Sequence, residues 1–188
     1  PAIALMGERR PDIRVKLDVH PRRELGRRIV TDGFDVGVFT VPIQVEHVTL
    51  ASRRSTELQV LLAKNHPLAH RKFLTIEDLK DEPYIALNRE LVIRQSIDRS
   101  LMKQGDALKV AHEVSVTGAA HRMAVSGIGF TLTDALVLED EFLDLGTLIP
   151  LRPEVLVDAG FYFPKDRAED ARATEFVACL NKICDQKL

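Results

Sequence analysis

Two hydrophobic periods take turns along this chain, one near 3.6 residues and one near 2, and their alternation lays out its elements. Ile3, Leu5 and Met6 sit in a short helical pattern over residues 1–10, which Pro11 ends. Ile13, Val15, Leu17 and Val19 then alternate with Arg14, Lys16 and Asp18, the pattern of a half-buried strand. Residues 22–31 read as a helix burying Leu25, Ile29 and Val30, with Gly33 at its C-terminal cap. A strand over residues 34–39 turns at Pro42. Residues 58–63 are a nearly continuous apolar run, the sign of a strand covered on both faces, and Pro67 closes it.

Beyond that run a second set of elements begins. Thr75 and Asp78 have the spacing of a capping box at a helix start. A strand is expected over residues 84–87, then a helix with the stripe Ile93, Ile97 and Leu101, closed by Gly105. A strand over 109–114 leads to a helix capped by Thr117, with Ala120, Met123 and Ala124 inward and Gly127 at its end. Strands follow over 128–133, 148–151 and 155–163. The last helix, about 168–185, carries the single-faced stripe Ala173, Phe176, Val177, Leu180, Ile183 and Cys184, which is expected to dock on the first lobe. Strand–helix repeats on either side of residues 58–63 make that run a bridge between two α/β lobes, with a ligand cleft beside it.

Composition narrows the function more by exclusion than by signal. Hydrophobic residues make up 45% and charged residues 29%, as in an ordinary globular chain, and the formal net charge of −2 gives no electrostatic reason to bind nucleic acid. No apolar run approaches the roughly 20 residues that span a bilayer, and no signal-peptide pattern opens the chain, so no membrane role is expected. Cys179 and Cys184 lie on one helix, where a five-residue step sets their Cα atoms beyond the roughly 7 Å limit for a disulfide. They read as reduced thiols of a cytoplasmic protein. Six scattered histidines without ligand spacing argue against a metal site.

Local motifs point away from catalysis. Gly127-Ile128-Gly129 resembles part of a dinucleotide fingerprint, but Leu132 replaces the third glycine and the order is helix before strand, so a turn is favoured. Ser100 and Lys103 have the Ser-x-x-Lys spacing of penicillin-recognising enzymes without the partner motifs. Glu139, Asp140 and Glu141 read as an exposed acidic turn, and Arg22, Arg23, Arg27 and Arg28 as a solvated helix face. No catalytic residue and no cofactor is expected. Asn88-Arg89 and Thr117-Gly118 each follow a strand and open a helix, where free N–H groups and the dipole favour anions and Arg89 adds a bidentate partner. The plainer alternative is two ordinary helix starts, with Thr117 a cap and Arg89 a surface charge.

Five stretches in order resemble the effector-binding domain of LysR-type transcriptional regulators. They are Arg10-Pro11-Asp12-Ile13, residues 31–38 with Asp32-Gly33-Phe34-Asp35, residues 61–69 with Lys64-Asn65-His66-Pro67, residues 79–85, and Ala124-Val125-Ser126-Gly127-Ile128-Gly129. The resemblance implies an α/β, two-lobed fold of the type 2 periplasmic-binding-protein kind, with two crossing strands and an interlobe cleft. It implies a first lobe of residues 1–57 plus 162–188, lacking its first strand, and a second lobe of 58–161. It places a small-molecule effector on Arg54, on Asn88, Arg89, Leu91 and Val92 of one loop, on Thr117 and on Phe161; the helix starts at Asn88-Arg89 and Thr117-Gly118 make a carboxylate-like effector the expectation. It also implies a homodimer, a tetramer in the full-length protein, and DNA contact only through a winged helix-turn-helix domain that this sequence does not include. Thr133-Asp134 departs from the family, which commonly has proline after the Gly-x-Gly strand. A transporter's solute-binding protein, which shares the fold, is the alternative.

Overall fold

A computed structural model describes residues 1–20, 33–41, 46–103, 105, 107–167 and 170–187, the side chain of Arg167 excepted. The expected helix over 22–31, with Leu25, Ile29, Val30 and its four arginines, lies outside the described residues, as does the turn at Pro42. The chain forms two compact units, Pro1–Ser55 with Asp158–Leu188, and Thr56–Val157.

In the first unit, helix α1 (Ala2–Arg9) packs on the last helix of the chain, Ala171–Lys187. Ala2, Met6 and Cys179 are buried there among Leu5, Ile13, Phe176, Leu180 and Ile183, so the C-terminal stripe finds its partner as expected. Arg10 pins the pair, donating to Glu175 at 3.2 Å while its other nitrogens hold Asp12 at 2.8 and 3.0 Å. Asp170 starts the last helix by accepting from the Arg172 N–H at 2.8 Å, and the Arg172 guanidinium beside it holds its carboxyl far below the usual range. The unit's sheet has the order β1 (Gly37–Thr40), β9 (Leu156–Pro164), β2 (Val48–Glu57), with β1 antiparallel to β9.

Residues 13–19 were expected as a strand and form none. Leu17 is 69% and Val19 85% exposed, so alternation alone did not bring a partner edge to pair with. Strand β2 was not foreseen. Val48, Leu50, Ser52 and Arg54 mix apolar and charged side chains on one set of alternating positions, which blurs the period.

The second unit is built on β3 (Gln59–Ala63), antiparallel to β8 (Gly146–Arg152) on one side and to β7 (Thr131–Thr133) on the other. Strand β4 (Leu74–Thr75) extends the sheet parallel to β8. Beyond β7 lie β5 (Tyr84–Leu87) and β6 (Val110–Val114), a parallel pair. A parallel bridge between Tyr84 and Phe130, with Ile85 N–H to Phe130 O at 2.8 Å, joins them to β7. The apolar run in β3 is explained by burial on both faces: Val60 and Leu62 enter one core with Leu74, Tyr84, Phe130 and Ile149, while Leu61 enters another with Ile85, Ala120 and Phe142. The unit boundaries fall in β2 and β9, so the run expected to bridge two lobes lies wholly inside this unit.

Its helices cover both faces. Helix α2 (Ile76–Leu79) opens on the expected capping box, with Asp78 N–H to Thr75 Oγ1 at 3.3 Å and Thr75 N–H to Asp78 at 2.9 Å, which holds the Asp78 carboxyl below its usual range. Helix α3 (Val92–Lys103) brings Ile97 and Leu101 to the first core, and α4 (Thr117–Val125) brings Ala120 and Ala124 to the second. Val116 is the N-cap of α4 and Thr117 its first helical residue, one position earlier than the sequence suggested; extended backbone at Val116 sets that start. The acidic run at 139–141 opens a short helix, α5 (Asp140–Leu145), in place of the expected turn, with Asp140 and Glu141 at the positive end of its dipole. After α4 the backbone reverses through Gly127 at φ +80°, and Gly129 passes so close to the Pro83 carbonyl that a Cβ there would stand 2.1 Å from it. The helix of the first unit, Ala171–Lys187, is α6. Among the described residues no helix is long and apolar enough to cross a membrane.

Candidate functional site

Strands β5, β6 and β7 run parallel, so their carboxyl ends share one edge of the second unit's sheet. From β5 comes the loop Asn88-Arg89-Glu90-Leu91 and then α3. Asn88 shapes it: its Oδ1 accepts the Glu90 N–H at 3.0 Å and its carbonyl accepts the Leu91 N–H at 2.9 Å. Gln95, one turn into α3, donates its side-chain amide to Arg89 O at 3.1 Å and its N–H to Leu91 O at 3.0 Å. Arg94 donates to Leu87 O at 2.7 Å. The carbonyls of Leu87, Asn88, Arg89 and Leu91 are therefore all taken. The N–H groups of Asn88, Glu90 and Leu91 are taken as well, whereas no partner among the described residues holds the exposed Arg89 guanidinium.

The helix expected to start at Asn88-Arg89 starts at Val92 instead, because the Asn88 turn uses up four residues first. Asn88 is tied to the neighbouring strand by its N–H to Val114 O at 2.8 Å, which sets the loop beside the turn that carries Thr117 and Gly118. Both of these are half-buried, and a Cβ at Gly118 would meet nothing within 4 Å. Leu91 and Val114 both pack against the core cluster that includes Leu87 and Ala120. The structure thus brings Asn88, Arg89, Leu91, Val92, Thr117 and Gly118 to adjoining strand ends.

Arg54 and Phe161 belong to the first unit. Phe161 is buried in β9 opposite Val38. The Arg54 guanidinium is drawn toward α6: its Nη1 lies 3.3 Å from Ser52 Oγ, which donates to Asn181 Oδ1 at 2.8 Å, and its Nε lies 3.4 Å from Asp185.

Sequence reasoning missed three polar residues at this edge. Arg94 is 3% exposed, on the same face of α3 as Ile97, and a charge inside an apolar stripe was the available signal. His121, 1% exposed, sits between Ala120 and Ala124 and places Nε2 2.8 Å from Thr133 Oγ1 at the end of β7. Its Nδ1 is buried with no hydrogen-bond partner, its ring meets Phe142 edge-on at 5.4 Å, and burial pushes its pKa down to about 4. Asp134, next along, accepts the N–H groups of Leu136 and Val137 at 2.9 and 3.3 Å. Among the described residues no three His, Cys, Asp or Glu side chains gather as a metal set.

Comparison with known proteins gives a consistent result. The model of the LysR substrate binding domain matches residues 1–185. A probable RuBisCO transcriptional regulator of Cyanophora paradoxa is 30% identical over 152 residues, which are 78% of this chain and 47% of that protein. The RuBisCO operon transcriptional regulator of Allochromatium vinosum is 22% identical over 156 residues, 83% of this chain and 51% of its own. The chain therefore spans about half the length of the curated relatives it matches. The effector binding domain of QuiR in complex with shikimate superposes with a TM-score of 0.77 at 14% identity, covering 98% of this chain and 89% of that one. The Synechocystis PCC6803 CcmR regulatory domain in complex with 2-PG gives 0.75 at 16%, covering 97% and 89%. At these identities the likeness establishes the fold, the two-lobed α/β architecture of periplasmic-binding-protein type.

Proposed function

The chain belongs to the LysR substrate binding domain family, and from that premise we propose that it senses a small anionic metabolite for a LysR-type transcriptional regulator. The ligand-binding residues are Asn88, Arg89, Leu91, Val92, Thr117 and Gly118, at the carboxyl edge formed by β5 and β6. One observation carries this reading. The carbonyls of Leu87, Asn88, Arg89 and Leu91 are spent on the loop and α3, while the exposed Arg89 guanidinium supplies a cation, for which a carboxylate is the complementary acceptor. A neutral sugar would want stacking aromatics, and this chain has no Trp and two Tyr. Shikimate and 2-phosphoglycolate, held by the two structural neighbours, both carry a carboxylate and are the first compounds to try.

DNA contact, homodimer and tetramer formation, and a cytoplasmic setting belong to the proposed regulator as a whole, with DNA read by a part of it outside this chain. The transporter alternative is not favoured, because the relatives matched are transcriptional regulators. Arg54 Nη1 is engaged by Ser52 and the Arg53 carbonyl and Phe161 is buried within its own unit, so the proposed set leaves both out.

The test is calorimetry with a panel of small carboxylates that includes both compounds. For whichever binds, Arg89→Ala and Thr117→Ala should each weaken affinity by about one to two decades, the loss of one charge-assisted contact. Wild-type affinity in both variants would move the site elsewhere.

A further inference from the structure

A guanidinium buried to 4% exposure is tolerated only with polar partners, and Arg94 has two hydrogen bonds and one longer ionic contact, each on a different element. Nη1 donates to Leu87 O, the last carbonyl of β5, at 2.7 Å. Nε donates to Asp98 Oδ1, one turn further along α3, at 2.8 Å. Glu113 Oε2 of β6 stands 3.7 Å from Nη1. One side chain therefore reaches the two parallel strands whose ends frame the loop, hydrogen-bonding the end of β5 and lying within ionic reach of β6. The fork geometry matters, because a lysine reaching the same place presents one compact charge and cannot meet a carbonyl and a carboxylate in two fixed directions.

We propose that Arg94 is the positioning residue of the effector loop: it fixes the β5 end so that Asn88–Leu91 is held in its turned shape before any ligand arrives. The residue touches no ligand. It sets where the Asn88 turn begins, and through that turn where the Arg89 guanidinium and the Glu90 and Leu91 backbone stand. This inference rests on the effector reading only for the use made of the loop; the loop's rigidity is independent of it.

Amide hydrogen exchange on the 188-residue chain without ligand is the deciding measurement. In Arg94→Lys the amides of Glu90 and Leu91, whose acceptors are Asn88 Oδ1 and O, should exchange about tenfold faster than in wild type, as the loop opens locally. The amides of Leu61 and Leu62 in β3 should keep their wild-type protection, which separates loosening of the loop from loosening of the unit. Arg99→Lys, on the exposed side of the same helix, should match wild type throughout. Arg94→Met serves as a second variant wherever it folds, with the larger effect expected. Unchanged exchange at Glu90 and Leu91 in Arg94→Lys overturns the proposal, and so does an equal loss of protection across β3. Calorimetry with shikimate and 2-phosphoglycolate adds a separate arm. If wild type binds either one, Arg94→Lys should raise its Kd at least about tenfold through the disordered loop. An unchanged Kd beside faster exchange would refute the loop's role in binding. If wild type binds neither, the choice of ligand fails while the exchange result still decides the role of Arg94.

Discussion

His121→Gln isolates what a buried imidazole does to the pH dependence of this fold. The ring is neutral in the folded chain because its apolar surroundings, Phe142 edge-on and Ala120 and Ala124 alongside, offer no counter-charge, and its pKa falls from 6.5 to about 4. Between those two values the unfolded chain binds a proton that the folded chain excludes. Stability from this residue is therefore complete above about pH 6.5 and declines as the pH falls toward about 4. The depression corresponds to about 3 kcal/mol in full, of which about 2 kcal/mol is lost between about pH 7.5 and about pH 5. Glutamine keeps a side-chain amide within reach of Thr133 Oγ1 and has nothing to titrate. Urea unfolding at the two pH values should then show wild type losing about 2 kcal/mol more than His121→Gln, whatever the variant costs at neutral pH. Carboxylates such as Asp78 titrate in both proteins and cancel from the difference. Parallel losses in the two proteins would show that His121 is protonated in the folded state and that its surroundings have been misjudged.

Other perturbations test the second unit's frame. Leu61→Ala, at a fully buried position of β3, should cost about 2–5 kcal/mol in urea unfolding, and a loss below about 0.5 kcal/mol would make the strand peripheral. Thr75→Ala removes the hydroxyl half of the capping box, leaving the residue 75 N–H on Asp78, and should cost about 1 kcal/mol by the same measurement, with no loss if water replaces the hydroxyl. Gly129→Ala sets a Cβ against the Pro83 carbonyl, which is backbone and cannot swing aside; it should cost about 3 kcal/mol or more, read as a fall in thermal midpoint.

The fold was legible where a period met a burial that matched it. Residues 58–63 read as a doubly covered strand because Val60 and Leu62 feed one core and Leu61 the other. The Thr75 box and the stripe of α6 were equally plain, since local chemistry and packing agree there. Residues 13–19 show the opposite case: alternation declares which side chains would share a face, but a strand also needs a neighbour for its backbone, and no periodicity supplies one. At the candidate site, the loop and the turn at Thr117 were placed on the right segments, but the helix starts were misplaced by four residues at Val92 and one at Thr117. Side-chain and backbone turns set those starts, and many residues can make such turns. Arg94 and His121 escaped notice because each occupies a stripe position, where a polar residue looks like a break in the pattern until its partner, distant in sequence, is known.

Those buried polar groups follow a common line. Thr131 Oγ1 donates to Ile85 O at 2.8 Å, Thr133 Oγ1 meets His121, and Asp134 gathers the next turn, so β7 carries a polar seam from the middle of β5 to the second turn of α4. Apolar side chains of similar size would fill the same space without the desolvation cost that each of these groups carries. What the seam provides in exchange is direction. A packed methyl tolerates small slides of helix against strand, whereas a hydrogen bond near 2.8 Å between His121 and Thr133 fixes the second turn of α4 against the end of β7. Arg94 does the same for α3 against the end of β5. Both helices that open onto the carboxyl edge are thus pinned within about one turn of their starts, by polar contacts whose partners lie at strand ends. A frame that must present the Asn88 loop and the Thr117 turn in fixed register has reason to hold them this way, and stability alone gives no such reason.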